Sequence, residues 1–234
     1  MRDCEFSDRK ILQSWHKNAR EWVRVIEEAA IPSRRRVTDQ AIIDAVRACK
    51  PKSVLDVGCG EGWLARALAA EGIEVCGIDG VARLIEVAQH RAGKHQEFRL
   101  LCYDNLCAST LQRDFDLAVC NFSLFGESIK GFFTEARELL YPGGHLVVQT
   151  LHPPLCCGEF CYRDGWRAGT WEGIEGCFAD TPPWYFRTLS SWVRLFIDNG
   201  FALTALQEPL HPDTGKPASL ILCGQLKSDT GVSP

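Results

Sequence analysis

No stretch of this sequence stays apolar for the roughly 20 residues that a membrane-spanning helix needs, so a bilayer-spanning protein is not expected. The first residues, Met1 to Glu5, lack the apolar core of a secretory leader, and a cytosolic protein is expected. There is no large basic block either. The formal charge is −4, from 26 Lys+Arg against 30 Asp+Glu, which speaks against a partner held through its phosphates. One tight cationic cluster stands out, Pro32-Ser33-Arg34-Arg35-Arg36, and it reads equally well as a solvated helix approach or as a functional group. Internal repeats are absent. The 12 cysteines contain no CxxC pair and no second half-site at zinc-finger spacing. Most of them sit in apolar surroundings, as small buried residues of a reducing compartment do. Cys156, Cys157 and Cys161, with His152 upstream, form the one cluster, and no metal is expected there.

What is present is a regular alternation. A helical, amphipathic stretch from about Ser7 to Ala30 repeats Ile11, Trp15, Trp22, Val25 and Ile26 on one side, and Pro32 breaks it. Thr38 reads as the N-cap of a helix through Cys49. Short apolar strands are expected at 53–57, 74–78, 97–102, 115–120 and 145–150, with helices at 62–70, 81–91 and 127–140 between them. Strands alternating with helices imply a mostly parallel sheet covered on both faces. Residues 151–187 interrupt the rhythm, and their many aromatics mark a folded, functional insertion rather than a disordered one. Thr188 caps a helix through Asn199 that Gly200 ends. Strands near 201–207 and 219–226 flank the turn-rich segment 211–217, so the last strand should run antiparallel. The expected organisation is a helical lid over 1–37, one α/β domain over 38–226 with a substrate cap at 151–187, and a loose tail over 227–234.

The stretch Val54-Leu55-Asp56-Val57-Gly58-Cys59-Gly60-Glu61-Gly62-Trp63-Leu64 runs from an apolar strand through three glycines into a helix. Such glycines let the chain turn sharply and approach a ligand closely. A dinucleotide site wants G-x-G-x-x-G with a pyrophosphate at the helix N-terminus. Here the spacing is G-x-G-x-G, Trp63 takes the place of the third dinucleotide glycine, and Asp56 and Glu61 flank the loop. Carboxylates repel a pyrophosphate and suit a cationic amino group. Asp79, followed by Gly80, closes the second strand about 20 residues on. It can accept two ribose hydroxyls or can cap the next helix. Asp104 follows the third strand in Tyr103-Asp104-Asn105-Leu106, as a purine-amine partner or as a simple turn residue.

These motifs together resemble the class I S-adenosylmethionine-dependent methyltransferases over roughly residues 40–226. Leu55 to Gly62 looks like their first motif and Gly77-Ile78-Asp79 like their acidic second-strand end. Phe115 to Phe122 resembles their fourth strand, and Leu139 to Leu146 the approach to their fifth. The resemblance implies a seven-stranded Rossmann-like sheet with S-adenosylmethionine as cofactor. It places Asp56, Gly58 and Gly60 near the methionine end, Asp79 and Gly80 at the ribose, Asp104, Asn105 and Leu106 at the adenine, and Asn121 and Phe122 at the mouth. The fourth strand ends Cys-Asn-Phe-Ser, not in the Asn/Asp-Pro-Pro-Tyr/Phe of many base- and amine-directed relatives, which leans toward a small-molecule acceptor. Related small-molecule enzymes carry a stretch like Tyr185-Phe186-Arg187-Thr188.

Methyl transfer is an in-line displacement, and much of its acceleration comes from orientation and exclusion of water. A base is needed only for a nucleophile with a high pKa. His152, directly after the fifth strand, is the candidate, with a backbone-bonded loop histidine as the plain alternative. Trp15, Asn18 and Trp22 share one helical face and belong to the expected lid, where a buried Asn18 would need partners. Tyr185 and Arg187 are expected near the acceptor, Arg187 either on an anionic group or stacked on aromatics. Two rivals remain at this stage: a nicotinamide-dependent oxidoreductase, which the glycine spacing disfavours, and a non-catalytic S-adenosylmethionine-binding protein.

Overall fold

The computed structural model describes residues 6–111 and 114–227. All but the first residue of the expected tail, 227–234, lies outside these, as do Met1 to Glu5. The first helix, α1 (Asp8–Glu27), opens on Ser7, whose hydroxyl accepts from the Lys10 amide at 3.2 Å. The next helix, α2 (Asp39–Ala48), is entered differently from the expectation. Thr38 makes no side-chain cap; the chain is already helical from Ser33 (φ −62°, ψ −34°) and passes through a π-helical turn, Arg34–Thr38, into α2. With helical backbone on both sides of Thr38, no free first-turn amide remains for its hydroxyl to bind.

The strands β1 (Ser53–Val57), β2 (Glu74–Asp79), β3 (Gln96–Leu100), β4 (Phe115–Asn121) and β5 (Leu140–Thr150) are joined through the helices α3 (Trp63–Ala69), α4 (Ala82–His90), α5 (Ala108–Leu111) and α6 (Lys130–Glu138). After β5 come a short helix α7 (Pro153–Cys156) and a hairpin of β6 (Gly165–Arg167) and β7 (Trp184–Phe186). Then come α8 (Leu189–Asp198), β8 (Phe201–Gln207) and β9 (Leu220–Leu226). The seven-stranded sheet has the order β3-β2-β1-β4-β5-β9-β8. The first five strands are parallel, and β9 runs antiparallel to both its neighbours.

Two boundaries moved. The helix expected from 127 begins at Lys130, because the Asp8 carboxylate takes the amides of Glu127 (2.7 Å) and Ser128 (3.0 Å). The fifth strand begins at Leu140, paired with Phe115, and a register shift carries it to the Leu117–His145 pair. The insertion after β5 is less irregular than expected, since it holds the β6–β7 hairpin. Thr188 caps α8 as expected, accepting from the Ser191 amide at 3.2 Å.

Alternation along the strands divides the core in two. Leu55, Val57, Ala118 and Cys120 face Phe132 and Phe133 of α6 and Phe196 of α8. Val54, Leu117 and Val119 face Ile42 and Val46 of α2 and Leu64 and Leu68 of α3. Each fully buried Phe of the first layer contributes roughly 1.5–3 kcal/mol. Asp56 shares the face of Val54, so the strand itself aims a carboxylate under the glycine loop.

Candidate active site

Because β1 lies between β2 and β4, the connections leaving β1 and β4 diverge to opposite sides. That switch point opens a crevice at the carboxyl ends of the strands, the usual ligand position in open α/β sheets. The glycine loop lines it. The amides of Gly58 and Cys59 both donate to the Ile78 carbonyl, at 2.8 and 3.0 Å, which ties the loop to the end of β2. Gly58 has φ +73°, and a Cβ there would lie 2.3 Å from Cβ of Ser123. Gly62 has φ +84°, and its Cβ would lie 2.7 Å from the Phe98 ring. Both positions therefore require glycine on two counts, backbone hand and space.

Three carboxylates gather here. Asp79 accepts from the Gly60 amide (2.9 Å) through one oxygen and from the Val81 amide (2.8 Å) through the other. It braces the loop and caps the approach to α4 at once, and burial raises its carboxyl against the effect of those two amides. Asp56 is 1% exposed and its Oδ2 has no hydrogen-bond partner. Burial first, then the charges of Asp79 and Glu61, push its carboxyl up to about 8. Glu61 is equally buried; desolvation raises it, while Arg66 at 2.9 Å pulls the other way. An uncompensated, buried carboxylate pair favours a cationic ligand group over a phosphate.

The crevice deepens into a cavity of about 940 Å³. Of the residues expected at the cofactor, Gly58, Gly60, Asp79, Gly80, Asp104, Asn105, Asn121 and Phe122 line it. Phe122 holds φ +49°, an uncommon conformation for a bulky residue, with its amide fixed to the Gln149 carbonyl at 2.9 Å. Asp56 lies beneath the wall rather than on it, and Leu106 packs into the core.

The acceptor side is redistributed. Trp15 lines the cavity, but Asn18, Tyr185, Arg187 and His152 do not. Asn18 is a clasp: its Nδ2 donates to the carbonyl of Asp180 (2.6 Å) and that of Ser14 (3.0 Å), and its Oδ1 accepts from the Ala179 amide (2.7 Å). Arg187 stacks between Tyr185 and Trp192 and donates to the carbonyls of Gly126 (2.6 Å) and Glu127 (2.8 Å), so it fixes the loop after β4. Tyr185 pins the same loop through its amide, which donates to the Phe125 carbonyl at 2.8 Å. His152 stands at the entry to α7, buried, with Nε2 paired to Glu208 at 2.6 Å. Its sequence position at the strand end was right; the direction of its ring was not readable.

Segments far apart in sequence form the roof. Trp15 and Trp22 of α1 meet Trp171 of the cap at centroid distances of 5.6 and 6.5 Å, and Phe178 stacks on Trp171 at 4.0 Å. Asp180 fastens them. Its carbonyl accepts from Ser14, Asn18 and Trp171, and its carboxylate accepts from Lys10 (2.9 Å) and Lys17 (3.0 Å). Wall residues that the sequence did not single out include Arg34, Ser123, Phe125, Phe160 and Arg167. Only Arg34 carried a signal, as part of the arginine triplet.

A family model described as a methyltransferase domain matches residues 14–206. A demethylmenaquinone methyltransferase of Tropheryma whipplei (strain Twist) is 37% identical over 116 residues, 48% of this chain and 47% of that protein. A ubiquinone biosynthesis O-methyltransferase of Xylella fastidiosa (strain M23) is 37% identical over 106 residues, 44% and 43% of the two chains. The chain thus spans about half the length of these curated relatives. Among solved structures, the 1,6-didemethyltoxoflavin-N1-methyltransferase of Burkholderia thailandensis superposes with a TM-score of 0.64. It is 18% identical, over 97% of this chain and 93% of that one. The magnesium protoporphyrin IX methyltransferase of Synechocystis PCC 6803 superposes at 0.66 and 17% identity, over 94% and 100%. At these identities the likeness is one of fold.

Proposed function

Since this chain belongs to the methyltransferase-domain family, we propose that it transfers a methyl group from S-adenosylmethionine to a small-molecule acceptor held under its aromatic roof. The observation that carries this reading is the pair of buried carboxylates, Asp56 and Asp79, under a loop that Gly58 and Gly62 alone can shape. A sulfonium-bearing amino-acid nucleoside fits that donor and acceptor set: Asp56 and Glu61 suit its ammonium, Asp79 its ribose, and Asp104 with Asn105 its adenine. When bound, that cofactor supplies a methyl group on a positively charged sulfur.

The protein's own residues supply position and dryness. Trp15, Trp171 and Phe178 close over the crevice and exclude water from a charged sulfonium. Phe122 and Asn121 stand at the end of β4, where acceptor and methyl group would meet in line. The acceptor compartment is walled by Trp15, Phe125, Phe160, Trp171 and Trp184, which suits a flat, largely apolar molecule. The printed names of the relatives, quinone, pteridine-like and porphyrin methyltransferases, agree with that shape. No proton transfer is assigned to His152, whose Nε2 is engaged by Glu208. We place the enzyme in the cytosol, acting on a free metabolite and not on nucleic acid, on the strength of the −4 charge and the apolar settings of its cysteines.

A thermal-shift comparison tests the cofactor. S-Adenosylhomocysteine should raise Tm, and NADH and NADPH should not. Stabilisation by a nicotinamide cofactor alone would overturn the reading.

A further inference from the structure

The glycine-loop end of the cavity holds an arginine whose position the carboxylates do not explain. Arg34 begins the π-helical turn, a form that is rare and concentrates at functional sites. Its guanidinium lies over the Trp63 ring, 4.7 Å from the centroid, and its Nε donates to Asp39 at 2.9 Å. Stacking leaves every in-plane donor free, and the Asp39 bond uses only Nε. Among the described residues, its terminal nitrogens Nη1 and Nη2 have no hydrogen-bond partner. Arg34 lines the same cavity as Gly58 and Gly60, and its charge is felt by Glu61. The other nearby cation, Arg66, is already committed to Glu61 through its side chain and its carbonyl.

Two kinds of group thus meet at one end of one cavity. Buried carboxylates await a cation, and a pre-oriented guanidinium edge awaits an anion. A phosphate would satisfy the guanidinium and be repelled by the carboxylates; a simple amine would do the reverse. A zwitterionic α-amino acid satisfies both. We propose that Arg34 holds the α-carboxylate of the cofactor's amino-acid tail, a bidentate pairing through Nη1 and Nη2, and so makes this site selective for ligands that carry that carboxylate. The inference rests on the S-adenosylmethionine reading given above and assigns one residue to one group of that ligand.

Calorimetric binding of three ligands separates the possibilities. S-Adenosylhomocysteine carries ammonium and carboxylate, its decarboxylated analogue carries the ammonium alone, and 5′-methylthioadenosine carries neither. In Arg34→Ala, affinity for S-adenosylhomocysteine should fall about tenfold or more, as loss of a charge-assisted pair does. Affinity for the other two should stay within about twofold. Arg34→Lys, which keeps the charge without the fork, should fall between, and its Tm reports that the fold is kept. Equal losses for all three ligands, or an unchanged preference for S-adenosylhomocysteine over its decarboxylated analogue, would overturn the assignment of Arg34. Failure of the unsubstituted protein to bind S-adenosylhomocysteine would instead overturn the cofactor reading itself.

Discussion

Asn18 offers the sharpest test of how the roof is held. Its amide bridges α1 to the cap: Nδ2 donates to the Asp180 carbonyl at 2.6 Å and Oδ1 accepts from the Ala179 amide at 2.7 Å. Asn18→Ala removes both bonds. The Asp180 carbonyl keeps Ser14 and Trp171 as donors, but the Ala179 amide loses its acceptor. Two hydrogen bonds at about 1 kcal/mol each, plus roughly 1 kcal/mol for the stranded amide, come to about 3 kcal/mol. If that weight falls on the docking of the cap, the open population rises about a hundredfold. Hydrogen exchange followed by mass spectrometry reads this directly. Peptides covering 170–181 should lose about two orders of magnitude of protection, while the β4 and β5 peptides should be unaffected. Asn18→Asp, which keeps the acceptor and loses the donor, should fall between. Unchanged protection over 170–181, or an equal loss throughout the sheet, would refute the clasp and leave Asn18 as an ordinary core residue.

Other outcomes are expected at the loop. Gly62→Ala forces a Cβ to 2.7 Å from the Phe98 ring at φ +84°, and the strain and clash together should cost about 3 kcal/mol, lowering Tm by roughly 6–12 °C; an unchanged melting curve would count against the tight turn. Asp79→Ala removes the acceptor of the Gly60 and Val81 amides, so cofactor affinity should fall about tenfold or more with the circular-dichroism spectrum retained, and unchanged affinity would remove Asp79 from the ribose. Asp56 titrates at about 8 when folded and 3.8 as its ordinary value, so between those pH values the folded chain holds a proton that the unfolded chain releases. Raising pH across that window therefore favours unfolding, and Asp56→Asn should flatten the decline of Tm from about pH 4 to pH 8. A slope identical to that of the unsubstituted protein would show that Asp56 does not carry the titration.

Much of this molecule was legible because the relevant physics is local. The strand periods, the Gly58-Cys59-Gly60-Glu61-Gly62 spacing and the acidic ends of β1 and β2 follow from short stretches of chain. So does the hairpin that turns β9 antiparallel. Boundaries failed where a distant residue intervened. Asp8 took the amides of Glu127 and Ser128 and shortened α6, and helical backbone before Thr38 left that hydroxyl nothing to cap.

The acceptor side was least legible, since a side chain's direction depends on what packs against it. His152 stands beside the sheet edge as its position implied, yet Glu208, 56 residues on, draws its ring to a partner away from the cavity. Arg187 and Asn18 have the chemistry of ligand-binding residues, and the fold spends both on backbone carbonyls. Arg34 shows the converse. In the sequence it was one of three adjacent arginines with no means of choosing among them. A π-helical turn, the Trp63 ring and Asp39 choose it, and together they bring its charge to the glycine loop. The sequence by itself determined the sheet, the glycine cradle and the carboxylates beneath it, because neighbouring residues impose them. Tertiary structure alone decided which polar side chains face the cavity and which fasten its walls, because that choice is made by contacts between segments up to 170 residues apart, as at Lys10 and Asp180.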